Sequence, residues 1–526
     1  MLRPIKVKKQ EEIFPNLERK HAHTVLQGCG CFDDSTTNHG YATFFAIAFP
    51  AFPFFRAFST ILFITAILFL LCLPVAYIYN ESPYPFVWSS IISVTTAAIL
   101  YIISRKAGAA KLTSREGFLS VSLSWILLSA LGTLPFLFSG TVDTFIDAFF
   151  ESASGFTTTG STIMKNVEIL PHTILFWRSL THWVGGLGII VLVIIILPSL
   201  KITAQQLFSM ESSLKEKIMP KTKAIGIRLL FIYLGLTFAE IILLSMGDMN
   251  LFESICHTFA TVATGGFSTK NASLMAFSSY SQYIVALFML LAGVSFVIYY
   301  YLIKFKFRKI ISNEELWFYL AVIFVSGILV SAILSTGTAE SREQAFRHGF
   351  FQVISITTTT GFTTTDYLDW PHSASLIIFL LLFAGASTGS TTGGIKMARH
   401  LILLKNVKAI FKKLIHPSSF TQIKLNGNPI LEKTNISIIS FVVLYLFIFI
   451  LGTILITFAG SDPLSSASAT IASLGNVGPG FGTIGPKYTF AHMNGFSKLI
   501  FSFLMIIGRL EITTLFILFG KSFWRL

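Results

Sequence analysis

The chain has 526 residues, 53% of them hydrophobic and only 12% charged. A soluble domain carries about a quarter charged residues, so this composition excludes a water-soluble globular protein and indicates an integral membrane protein. The net charge of +14 reads as membrane topology and not as nucleic-acid binding, because no folded soluble domain is left over for that task.

Residues 1–41 are polar and basic and contain no cleavable signal, so the first apolar span serves as its own insertion signal. This tail holds His21, His23, Cys29 and Cys31. C-x-C is not a usual zinc spacing, and the tail is expected to be mobile and cytoplasmic. Ten apolar windows follow, near 58–79, 86–104, 117–139, 173–198, 227–246, 280–303, 316–336, 374–395, 436–458 and 497–519. With the N-terminus inside, 31 of the 39 Lys and Arg fall in inner segments, which places both termini in the cytoplasm. Cys72 and Cys256 are expected as buried thiols. The outer connections are rich in Asp and Glu, a sign that concentrates cations.

Four outer connections share one pattern: span, short helix, glycine-rich loop, span. The short helices are expected near 143–156, 251–263, 344–357 and 463–475. The loops are TTTGST at Thr157, TVATGGFST at Thr261, TTTTGFTTTDY at Thr357 and LGNVGPGFG at Leu474. Matching each Thr-Gly or Val-Gly pair makes Gly160, Gly265, Gly361 and Gly478 the central glycines, 105, 96 and 117 residues apart. Such repetition means one architectural unit used four times. The predicted fold is an all-α membrane protein with four helix–pore-loop–helix repeats around one pore, plus an extra N-terminal helix pair. Its parts are the tail 1–41, the extra pair 42–104, and repeats at 105–198, 199–303, 304–395 and 396–526, the last with a preceding cytoplasmic loop.

A loop that enters the membrane without crossing it survives only inside protein or around a water-filled cavity, and four units around an axis supply one. A dehydrated potassium ion needs a ring of carbonyl oxygens in place of its water. The expected selectivity filter is therefore Thr157, Thr158, Thr159 and Gly160; Ala263, Thr264 and Gly265; Thr359, Thr360 and Gly361; and Asn476, Val477 and Gly478. The C-terminal ends of the short helices would favour a cation there. Span eight contains Gly385, Ser387, Thr388, Gly389, Ser390, Thr391, Thr392, Gly393 and Gly394, a run of poor helix formers. The helix should break there at mid-membrane, below the filter, and act as a gate with Arg509. Arg509 could bond the freed carbonyls or pair with Glu511 or Glu240.

These residues resemble the Trk/Ktr/HKT superfamily of potassium transporters, most closely the bacterial TrkH-type membrane subunit. The resemblance runs from about residue 40 to the C-terminus. It rests on the four loops, REGF at Arg115, GGLGI at Gly185, GSTTGGIK at Gly389 and GRLE at Gly508. The extra N-terminal pair fits TrkH better than KtrB. The resemblance implies potassium uptake across the cell inner membrane by a homodimer with one pore per protomer. It also implies a cytosolic RCK-type ring that binds nucleotide and opens or closes the pore. Gly160 matches the potassium-preferring pattern, in contrast to relatives with serine there that shift towards sodium. The chain itself is expected to hold no cofactor, potassium being its substrate, and to catalyse no reaction.

The basic inner surface, with Lys405, Lys408, Lys412 and Lys413, would face that partner or lipid headgroups. GSTTGGIK lacks the Gly-Lys-Ser/Thr of a phosphate-binding loop, and GPGFGTIG lacks a preceding strand, so neither marks a nucleotide site. His182, His257 and His348 are expected as structural hydrogen-bonders. The alternative function is a secondary carrier coupling potassium to sodium or proton entry. Charged residues well inside spans are few (Glu240, Arg509, Glu511), which is sparse for a proton relay.

Overall fold

The computed structural model describes residues 52–105, 114–199, 222–338, 341–418, 422–512 and 518. The tail with His21, His23, Cys29 and Cys31 lies outside the described residues. Each apolar window holds a helix: Phe52–Leu70 with Leu73–Ile78, Tyr84–Ser104, Ser114–Leu131 with Leu134–Phe138, His172–Ser199, Thr222–Ser245, Ser279–Ala292 with Phe296–Ile303, Glu314–Gly337, His372–Leu381, Glu432–Phe458 and Gly495–Arg509. The first and third spans are interrupted near Pro74 and Pro135, each within the first turn of the restarted helix, where a missing N–H costs little. Among the described residues, six spans are long and apolar enough to cross a bilayer without a sharp break. Their outward faces carry exposed Phe63, Phe231, Phe238, Ile242, Phe324 and Phe447. Apolar surface on that scale requires lipid around it.

Beyond the interruptions at Pro74 and Pro135, two described spans break more severely. The sixth bends by 91° between Ala292 and Phe296. The eighth is helical only over His372–Leu381 and resumes as Met397–Ile415. Between spans eight and nine, Lys424–Leu425 and Asn428–Pro429 form a small hairpin whose turn, Asn426-Gly427, has both residues at positive φ, the geometry that Asn-Gly favours. Asn426 Oδ1 accepts the Glu314 amide at 2.8 Å and so ties the hairpin to the start of span seven.

Four short helices fill the centre: Phe145–Phe156, Leu251–Val262, Arg342–Thr357 and Pro463–Leu474. Each begins at a side-chain N-cap, Thr144, Asn250, Ser341 or Asp462, which accepts a backbone N–H from the first turn. Such caps are worth about 1 kcal/mol apiece. They fix where each helix starts and therefore where it ends. The fold class expected from the sequence, four repeats and an extra N-terminal pair, is the fold observed.

Candidate functional site

All four short helices end in the same way. The residue after the C-cap turns left-handed: Thr158, Thr264, Thr359 and Asn476 have φ between 53° and 56°. Its N–H, and that of the next residue, fold back onto the last turn. The second of these bonds runs from Thr159 N to Ser154 O, Gly265 N to Ala260 O, Thr360 N to Ser355 O and Val477 N to Ala472 O, at 2.9, 2.7, 2.8 and 2.8 Å. This is the helix C-cap normally built on glycine. Two residues beyond each left-handed position stands a left-handed glycine: Gly160, Gly266, Gly361 or Gly478. The register of the second loop is thus one residue later than the Thr-Gly match implies. Its counterpart of Gly160 is Gly266, and Gly265 is the counterpart of Thr159, Thr360 and Val477. The repeat intervals become 106, 95 and 117.

The four loops touch head to tail. A methyl group on Gly160 would overlap the Gly265 carbonyl oxygen, one on Gly266 that of Thr360, and one on Gly361 that of Val477; one on Gly478 would stand 2.7 Å from the Thr159 oxygen. The cycle closes, so four equivalent carbonyls and four glycine Cα atoms form one backbone ring. Only glycine supplies both the positive φ and the close approach.

Buried polar contacts hold the ring from outside. Arg178 Nε pairs with Glu151 at 2.8 Å with both side chains buried. The same guanidinium donates to Ser268 O and Thr162 Oγ1 and lies over the Phe267 ring. Glu151 also accepts from Thr162 Oγ1 and the Ile163 amide. One ion pair thus fastens the loop after the first ring segment to the loop after the second. A cavity on one face of the ring is lined by its four left-handed glycines together with Lys165, Lys270, Lys487 and Arg178. The acidic excess expected to form a cation-attracting mouth is largely engaged in local pairs. Glu253 meets Lys270, Glu343 meets Arg347, Asp366 and Asp369 meet Lys487, and Asp147 meets Lys498.

On the other side of the ring lies the interrupted part of span eight. The helix stops at Leu381, a few residues before the glycine run. The chain then closes on itself, with Gly385 N bonded to Ile395 O at 2.8 Å and Met397 N to Ala386 O at 3.1 Å. Between these ties, Ser387, Thr388, Ser390, Thr391 and Thr392 are all buried, and Gly389 and Gly394 turn left-handed. The excursion touches the ring segments directly: the Gly393 amide donates to Thr359 Oγ1 at 2.8 Å, and Thr391 Oγ1 donates to Val262 O at 3.2 Å. Gly393 has no room for a side chain beside Gly475 and Asn476.

Arg509 is buried and donates to Thr391 O at 2.6 Å and Gly185 O at 2.8 Å. Of the partners considered for it, the freed carbonyl is the one observed; Glu511 pairs with Arg399 at 2.8 Å. Gly185 sits where a methyl would overlap Phe156 O, so GGLGI brings span four against the first ring segment and presents its own carbonyl to Arg509. His257 bonds Glu253 O and Ser268 Oγ, and His348 bonds Thr364 Oγ1. His182 instead stacks on Phe267, its centroid 4.1 Å away, directly behind Gly265. Sequence reasoning missed Gly266, the Gly293 bend and Glu315. Only Gly266 carried a signal, being the second glycine of a pair.

The fold and site define a multi-pass membrane protein whose four re-entrant units close on a single backbone ring, with a folded-back segment beneath it. The chain belongs to the TrkH family, described as cation transport protein, whose model matches residues 86–525. It is 36% identical over 483 residues to the Trk system potassium uptake protein TrkH of Escherichia coli K12, covering 90% of this chain and 99% of that relative. It is 33% identical to TrkG of the same strain, covering 86% and 94%. The crystal structure of the potassium transporter TrkH from Vibrio parahaemolyticus superposes with a TM-score of 0.81 at 32% identity, covering 90% of this chain and all of that one.

Proposed function

We propose that this chain moves potassium ions across the membrane along the axis of the four-segment ring. The observation that carries the reading is the fourfold helix cap that feeds a closed ring of backbone. In each segment two positive-φ residues alternate with residues that are not left-handed, a pattern that lets successive carbonyls be turned to one side of the chain. A ring of such oxygens replaces the hydration shell of potassium, and four converging helix C-termini add partial negative charge. Relatives named as potassium uptake proteins support potassium as the ion.

In this reading the filter comprises the segments ending at Gly160, Gly266, Gly361 and Gly478. The gate is the excursion from Gly385 to Gly394 with Arg509, whose fixed charge repels potassium while the segment blocks the path. Two copies assemble with a cytosolic, nucleotide-binding ring in the cell inner membrane, and both termini face the cytoplasm. A carrier coupled to protons is favoured by one feature, Glu240, fully buried within the span Thr222–Ser245. The carboxyl lies beside Thr261 on the short helix, not on the ring.

The test is growth at low potassium and rubidium uptake in cells that lack their own potassium uptake but keep the cytosolic partner. The native chain restores both. Absence of uptake from a chain shown to be folded in the membrane would overturn the reading.

A further inference from the structure

We propose that residues 293–315, the elbow of span six together with the start of span seven, latch the excursion of span eight in its closed position, with Glu315 as the positioning residue. This rests on the gate reading above.

A 91° bend in a membrane span frees backbone groups that an unbroken helix would pair internally. Here those groups go to the excursion. Ser387 N donates to Gly293 O at 3.0 Å, and Phe296 N donates to Gly389 O at 3.1 Å. The chain then runs through Phe296–Ile303 and Phe307–Ile311 to Asn313, which caps span seven. In the first turn of that span, the largely buried Glu315 accepts the Thr388 amide at 2.5 Å and the Ala398 amide at 3.3 Å. Backbone amides bonded to a carboxylate are among the stronger protein hydrogen bonds. One short stretch of chain thus grips the excursion at Ser387, Thr388 and Gly389 and again beyond it, at Ala398.

The turn of the elbow is exposed. Phe305 and Phe307 stand clear of the protein, and Lys304, Lys306 and Arg308 lie between them or beside them. A force on that turn would act on the bend at Gly293 and on Glu315 together. The grip therefore links an accessible basic surface to the buried segment through hydrogen bonds that need hold only the closed state. A hinge of a few residues at an element end is the usual way such motion is absorbed.

The test is rubidium flux into membrane vesicles, with the cytosolic partner retained or stripped. Without the partner, Glu315→Ala should raise flux about tenfold, the shift expected when one or two hydrogen bonds specific to the closed state are lost. Glu315→Gln should remain near the native level, because its amide oxygen can still accept. A second variant, Ser295→Cys with Gly389→Cys, exploits a methyl position on Gly389 that lies 3.2 Å from Ser295 Oγ. Oxidation of this pair should abolish partner-dependent flux, and reductant should restore it. If Glu315→Ala does not leak while Arg509→Ala does, the latch is wrong and the gate stands. If neither leaks, the gate reading falls and takes the latch with it. Should Glu315→Ala fail to fold, full partner-dependent flux through the oxidised cysteine pair overturns the latch.

Discussion

Thr158, Thr264 and Thr359 hold a backbone conformation that β-branched residues avoid, as does Asn476 less severely. Each such residue costs on the order of 1–3 kcal/mol, so the surrounding structure must over-determine it. Glycine would relieve the strain but would lose the contacts these side chains make. Thr359 Oγ1 receives the Gly393 amide, and Asn476 Nδ2 reaches both Thr159 Oγ1 and Met505 O. Two residues on, the position must be glycine. Gly160→Ser and Gly266→Ser should each lower discrimination against sodium by about tenfold or more, equivalent to about 1.4 kcal/mol, in paired rubidium and sodium flux assays. Gly265→Ala should act differently, since its methyl would overlap the His182 ring behind the loop and reduce the yield of folded protein. If Gly266→Ser keeps native selectivity, the register derived from the helix caps is wrong. Three of the four ring glycines were legible as the glycine after a β-branched residue. The fourth was not, because Thr264 precedes one glycine and the left-handed turn falls on the next. Counting from the helix end resolves it, and the sequence does not mark that end to the residue. The Glu151–Arg178 pair is a further liability of position. Removing one partner strands a buried charge at a cost of about 3–5 kcal/mol, so Arg178→Met should lower the thermal unfolding midpoint in detergent clearly. An unchanged midpoint would mean the pair does not fasten the loops.

At the scale of elements, the short helices were legible almost to their ends as the stretches that the glycine-rich loops close, and in the structure the side-chain caps Thr144, Asn250, Ser341 and Asp462 set their starts. The interruption of span eight was legible as a run of Gly, Ser and Thr, although the helix ends at Leu381, sooner than composition implies. The cause is tertiary: Phe383 O and Gly385 N are committed to Ile395. The bend in span six was not legible. Gly293 is a lone glycine in an apolar window, and the groups that satisfy the broken backbone come from residues 387 and 389, far along the chain. Deleting 387–392, or replacing Arg509 with Ala, should raise potassium flux in the absence of the cytosolic partner. Unchanged flux in both folded variants would reduce the excursion to a packing element.

At the scale of the molecule, composition and the placement of Lys and Arg conveyed the membrane setting, and the hundred-residue repeat conveyed the architecture. What they could not convey is the use of the outer acids, since a charge count does not reveal that Asp366 and Glu253 face Lys487 and Lys270. Nor did the inner charge show that Lys405 pairs with Glu314, or that 397–415 is a helix with Leu404, Val407, Ile410 and Phe411 exposed. Glu240→Gln should leave potassium flux and its dependence on pH unaltered, because the carboxyl stands off the ring; a lost proton dependence would favour the carrier. The most direct test of ion choice and route together is the reversal potential of the reconstituted protein under imposed gradients. The ring predicts a potential that follows the potassium gradient and does not move when sodium or proton gradients are applied. A potential that shifts with sodium or proton, or ignores potassium, would contradict it.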